Sequence, residues 1–208
     1  MAYWRDGSRT WYANGVENGY VENASSHPWP NQSEHIGQDT SRKFSPAPVG
    51  TLVAVAFGRM WIVQGDAVFY SEPYLYGKFD LARNYFQLPR PIRLLLPLAS
   101  GQGGGIWLSD EVSTWFVAGS DPAQMAPIRV ADFPALEGSA ACSLYERITD
   151  DGMVAMFGAW GCPHGACIGD AGGGLRVIAR KKLILPKGMK SGATLIRGGS
   201  NIITHMRG

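Results

Sequence analysis

The sequence has almost no helical signal. No long segment sets apolar residues three and four apart between capping residues, so a helical or α/β domain is excluded. Charge is also scarce: Asp, Glu, Lys and Arg make up 17% of the 208 residues, against 45% apolar. That balance sustains a packed core and excludes disorder of the whole chain. The formal net charge is only +2, and the one basic cluster, Arg180 to Lys182, reads as a solvated strand end. A nucleic-acid partner would call for a basic face, so none is expected. No apolar stretch reaches the roughly 20 residues of a membrane helix, and no membrane partner is expected. Met1 is followed by aromatic and charged residues, unlike a secretory leader. Cysteine is limited to Cys142, Cys162 and Cys167, an odd count that argues against a disulfide framework and for a reducing assembly compartment.

What the chain does have is hairpins. Short apolar runs flank tight polar turns in Tyr3 to Tyr12, Met60 to Ser71, Gly105 to Gly119, Gly165 to Ala179 and Gly192 to Met206. In the first four an Asp stands at the turn: Asp6, Asp66, Asp110 and Asp170. A turn Asp accepts hydrogen bonds from backbone N–H groups of its own turn, and a neighbouring Gly supplies positive φ. Two of these turns share a spelling, "DGSRTW" and "DEVSTW", which place Trp11 and Trp115 five residues after the Asp. Both tryptophans are expected to pack on a sheet face, making the four Asp and two Trp a repeated structural device.

Hairpins recurring at roughly 45 to 60 residues predict an all-β, propeller-like repeat of antiparallel hairpins or small sheets. Residues 1–21 read as a first hairpin, 22–50 as a Pro-rich linker, arm or long loop with four prolines, and 51–208 as the propeller-like domain. The first unit starts in mid-hairpin, so the repeat is expected to be incomplete. Its edge would then be closed by a second chain or by copies of this one, with Met1 to Gly19 as contact surface.

No catalytic set emerges, and a non-enzyme without cofactor or metal is expected. "CPHGAC" places Cys162, His164 and Cys167 together but lacks a second ligand pair, since His27, His35 and His205 are scattered. "GDAGGG", Gly169 to Gly174, has no Gly-Lys-Ser/Thr after it and reads as a hairpin turn. The adjacent pairs Asp110-Glu111 and Asp150-Asp151 would face opposite ways in a strand, which suits no acid/base partnership. Four aromatics remain, Trp29, Tyr74, Tyr76 and Phe79. They either stack on a sugar or anchor a protein partner, or they pin their loop to its own sheet.

The Asp-turn-Thr-Trp element is similar to the Asp box of sialidase-like propellers. "DGSRTW" matches at Asp6, Thr10 and Trp11 and departs at Trp4 and Ser8; "DEVSTW" lacks the Gly. In that family the boxes lie away from the active site and serve folding, so the likeness implies a fold and not sialidase chemistry. A second resemblance starts near Gly50. "YSEP" at Tyr70 to Pro73, "FD" at Phe79-Asp80, Gly105 to Leu108, Trp115 to Pro122, Val130 to Gly138, and later "CIGDAGGGLRVI" and "GATLIRGG" resemble a group of tailed-bacteriophage virion proteins. Members of that group tend to carry further blades before the "DG-x-R-T" hairpin. The resemblance implies a structural protein of the tail or neck, assembled in the host cytoplasm. Its implied partners are other tail or neck proteins, joined as a homo-oligomer or through a propeller shared with a second chain. The alternative it leaves open is a carbohydrate-binding module for host recognition.

Overall fold

A strand needs alternating side chains that fit a pleated, half-buried surface, and a hairpin needs a turn matching the strand twist. The computed structural model shows the chain meeting both demands again and again. It describes residues 1–34, 41–100, 103–119, 121–122, 124–142, 147–148, 154–178, 191–197 and 200–207. Among these there is no helix.

The first sheet is a meander of β1 (Ala2–Asp6), β2 (Arg9–Ala13), β3 (Asn18–Glu22) and β4 (Ser25–Pro28), each antiparallel to the next. The β3–β4 turn puts Asn23 and Ala24 at φ of 51° and 60°, both left-handed, as a two-residue type I′ turn requires. The expected boundary after residue 21 therefore falls inside a sheet. Ser25–Pro28 offers no aliphatic signal, yet it pairs with β3 from Glu22↔Ser25 to Gly19↔Pro28.

The second sheet runs β5 (Leu52–Ala56), β6 (Arg59–Gln64), β7 (Ala67–Glu72) and β8 (Leu75–Phe79) in that order. Pairing of β8 with β7 is broken by a register shift between Ser71 and Glu72. A short β9 (Tyr85–Gln87) takes the other end of β7, from Ala67↔Gln87 to Phe69↔Tyr85. These two sheets belong to one compact unit, Met1–Ile92. The first strands lie side by side, β1 against β5, as consecutive propeller blades stack. Trp11, Ala13, Val53, Met60, Ile62 and Phe79 form the buried core between them.

The division between units falls after Ile92, within the stretch 51–208 expected as one domain. The second unit, Arg93–Gly208, opens with β10 (Leu94–Ser100), β11 (Gly103–Ser109), β12 (Thr114–Ala118) and β13 (Pro127–Ala131). Next come β14 (Ala141–Cys142), β15 (Arg147–Ile148) and β16 (Val154–Ala155), of which the last two extend the third sheet beyond β10. The fourth sheet has the order β14, β17 (Phe157–Cys162), β18 (Gly165–Asp170), β19 (Leu175–Ile178). A separate hairpin, β20 (Ser191–Arg197) with β21 (Ser200–Arg207), follows. β10 lies beside β14 and β17, and both lie beside β20, so neighbouring sheets stack here too.

Leu94, Leu96, Leu98, Trp107, Phe116 and Trp160 fill the core of this unit, together with Cys162 and Cys167. Gly169 lets the two indoles meet: a Cβ there would lie 2.6 Å from the Trp160 ring and 2.7 Å from that of Trp107. Both compact units are thus built alike, and the chain is an all-β, propeller-like repeat of small antiparallel sheets.

Candidate functional site

The four turn aspartates fall into two kinds, and loop length separates them. Asp110 lies in the four-residue loop between Ser109 and its partner Thr114. Its Oδ1 accepts the N–H groups of Val112 and Ser113, each at 2.7 Å, and its Oδ2 accepts the indole N–H of Trp115 at 3.0 Å. The carboxylate is buried, and its own N–H donates to Ser113 O at 3.0 Å. The hydroxyl of Ser109 accepts Ala135 N–H at 2.7 Å, tying the loop to the next segment. Asp170 acts similarly: its Oδ1 accepts from Gly172 and Gly174 N–H at 2.9 and 2.8 Å, while its carbonyl accepts the Trp107 indole N–H at 2.9 Å.

Asp6 and Asp66 are different. Asp6 pairs directly with Arg9, so it ends a strand and the turn is Gly7-Ser8 alone. Its carboxylate lies near the hydroxyl of Tyr76 in the second sheet, close enough for its charge to act on that group. Asp66 stands in the two-residue turn between Gln64 and Ala67, and its Oδ2 accepts from Gln87 Nε2 at 2.7 Å. One spelling, Asp-x-x-x-Thr-Trp, therefore encodes two hairpins. A two-residue turn leaves the Asp no facing N–H groups and sends the carboxylate to a neighbouring strand.

The tryptophans diverge in the same way. Trp115 is half-buried and bonded to its own Asp. Trp11 is fully buried at the centre of an aromatic cluster, with Trp29, Tyr20 and Tyr76 ring centroids at 4.6, 5.1 and 5.8 Å. Trp29 donates its indole N–H to Tyr76 O at 2.8 Å, and Tyr20 carries His27 at 5.0 Å and the Arg9 guanidinium at 4.7 Å. Burial, and then the charge of Asp6, push the Tyr76 hydroxyl above its ordinary pKa.

Of the four aromatic candidates, Phe79 requires correction. It is fully buried in the core between the first two sheets, against Trp11, Met60 and Ile62, and it cannot meet a ligand. Trp29 and Tyr76 are half-buried and pin the first two sheets together. Tyr74 alone is open, at 81% exposure, with its backbone at φ 58° and its N–H donating to Gly58 O.

Local sequence patterns miss one polar cluster. Arg42, from the Pro-rich stretch, places Nη2 2.5 Å from Glu72 Oε1 and Nη1 3.2 Å from Oε2. Its Nε donates to Asp80 Oδ2 at 2.9 Å, and Asn84 Nδ2 donates to Glu72 Oε1 at 2.7 Å. The Phe44 ring lies under Arg42 at 4.8 Å and near Lys78 Nζ at 4.2 Å. The Asp80 carboxylate is only 2% exposed and that of Glu72 18%. Glu72 and Asp80 belong to the "YSEP" and "FD" segments, whereas nothing marks Arg42 in advance.

Burial alone would raise the Glu72 pKa, but the hydrogen bonds from Arg42 and Asn84 together outweigh it and hold the carboxyl below its usual range. The same pairing, with Glu72 first, raises that of Arg42. A lowered folded-state pKa favours the charged form in the folded protein. Its stabilisation is present above the unfolded value, about 4.3, and is lost as pH falls through the lower folded value. The urea midpoint is accordingly expected to hold between pH 7 and about 5 and to decline below about 4. Glu72→Gln should be less stable than wild type at pH 7 with a flatter acid limb. An acid limb of unchanged slope would show that Glu72 does not contribute.

Cys162 and Cys167 are buried in the core of their unit, and His164 is exposed with its ring edge-on to Phe133. Among the described residues no three His, Cys, Asp or Glu side chains gather as a metal site. The Asp150-Asp151 pair and the Arg180 to Lys182 cluster lie outside the described residues. What the polar groups on view do is hold segments: turns through Asp110 and Asp170, the β9 segment through Asp66, and the Pro-rich stretch through Arg42. No protein-family model matches this chain, and no curated protein matches it.

Proposed function

We propose that this chain is a non-enzymatic structural component of a bacteriophage virion, in the tail or neck, assembling with neighbouring tail proteins. One observation carries the reading: the residues that give the chain its likeness to phage virion proteins are occupied in framework contacts. Glu72 and Asp80 bind Arg42, and Phe79 is core. Gly105 to Leu108 and the start of Trp115 to Pro122 are paired strand. Side chains spent in this way suit a scaffold. Assembly inside the host needs no disulfide, in keeping with the buried Cys162 and Cys167, which are not joined in one.

The test is genetic. A phage with a stop codon early in this gene is expected to yield particles with missing or incomplete tails, and a plasmid-borne copy should restore them. Infectious particles of normal form from the mutant would overturn the proposal. Tyr74 favours a second reading, contact with a host saccharide. It is a large exposed ring at a left-handed backbone position where Gly or Asn is usual. Wild-type protein that binds no glycan at about 100 μM, near the weak end of sugar affinities, would remove that reading.

A further inference from the structure

β8 is the last strand of the second sheet, and a last strand presents a row of N–H and C=O groups to any other strand. Here the chain covers that row itself. Gln32 N–H donates to Gly77 O at 3.1 Å, and Gln32 Oε1 accepts Gly77 N–H at 2.9 Å. Ser45 and Phe79 exchange both backbone bonds, at 2.8 and 3.0 Å. Gly77 and Phe79 are two apart, so their outward groups are those a further strand would use. The approach is close: a Cβ on Gly77 would fall 2.0 Å from Pro30 O.

Such a covering is short of backbone bonds, because Pro46 and Pro48 have no N–H to give. Its attachment near Ser45 depends on Arg42, whose guanidinium is held by Glu72 and Asp80, and on Phe44 between Arg42 and Lys78. The strand beneath would pair well with itself. Two copies of Leu75–Phe79, antiparallel about Gly77, set Leu75 opposite Phe79 and Tyr76 opposite Lys78. The only charge in the strand then faces an aromatic ring and not its own copy.

We propose that residues 29–34 and 41–48 form an edge strap, governed by Arg42, that prevents β8 from pairing with β8 of a second copy. The strap goes beyond the virion reading, since it concerns when this chain meets its own kind, in whatever particle it serves.

The test uses the full chain, with two variants. Arg42→Ala removes the clamp but leaves two carboxylates without their cation, and it risks misfolding. The triple variant Arg42→Met, Glu72→Gln, Asp80→Asn removes clamp and charges together. Amide exchange at Phe79 by NMR reports the strap directly, and light scattering over a concentration series reports self-association. The triple variant is expected to exchange the Phe79 amide at least about tenfold faster than wild type, the scale of a lost charge-assisted bond. Its mass should also rise with concentration above that of wild type. Unchanged exchange would show that Arg42 does not govern the strap. Fast exchange with a wild-type mass at every concentration would show that the uncovered edge does not pair, and the proposal would fall.

Discussion

Trp11→Ala is expected to lower stability by about 3 to 5 kcal/mol, the usual cost of deleting a buried indole. For a chain of this size that is a fall in Tm of roughly 6 to 20 °C. Trp11 is 1% exposed, and three other rings close on it from the β3, β4 and β8 sides of the first two sheets. Little backbone is free to collapse into the hole, because β2 is paired on both sides. The indole N–H has no hydrogen-bond partner among the described residues. Trp11→Phe therefore surrenders no hydrogen bond and should cost about 1 to 2 kcal/mol, mainly volume. Trp115→Ala, at a half-buried position, should cost less than Trp11→Ala despite the shared spelling. Thermal melts of the three variants followed by near-ultraviolet circular dichroism check the order. A Trp11→Ala protein melting within about 2 °C of wild type would contradict it.

Asp110→Ala is expected to cost about 2 to 4 kcal/mol, because three donors lose one buried acceptor. The N–H groups of Val112 and Ser113 both bond the carboxylate, that of Ser113 at a buried position. Asp110→Asn keeps an oxygen for those two and sets its amide group against the Trp115 N–H, so about half the loss should return. Asp6→Ala, where the carboxylate accepts no bond from its own turn and is exposed, should cost under about 1 kcal/mol. Urea titrations of the three at pH 7 separate the two hairpin types. Equal losses in Asp6→Ala and Asp110→Ala would mean that loop length does not distinguish them.

These contrasts mark how far local pattern carries. The hairpins were legible because their signal is local: an apolar run, an Asp or Gly turn, a second run. β4 was hidden because Ser25–Pro28 has no apolar face. Backbone pairing and the stack of His27 on Tyr20 hold it instead. The burial of Phe79 was hidden for another reason. It packs with Trp11, Val53, Met60 and Ile62, all remote in sequence, and a local window cannot see them. The clamp was half-legible: Glu72 and Asp80 sit in recognisable segments, while Arg42 reaches them across 30 and 38 residues. Loop length separated Asp6 from Asp110, and a shared Asp, Thr and Trp at one spacing cannot report how many residues a turn leaves unpaired.

The most direct test of the central claim is immunogold electron microscopy of purified virions, using antibody raised against this chain. Gold at the tail or neck of wild-type particles, absent from particles of the stop-codon mutant, is the predicted result. Intact wild-type virions free of label, with the protein also absent from them by mass spectrometry, would contradict the account.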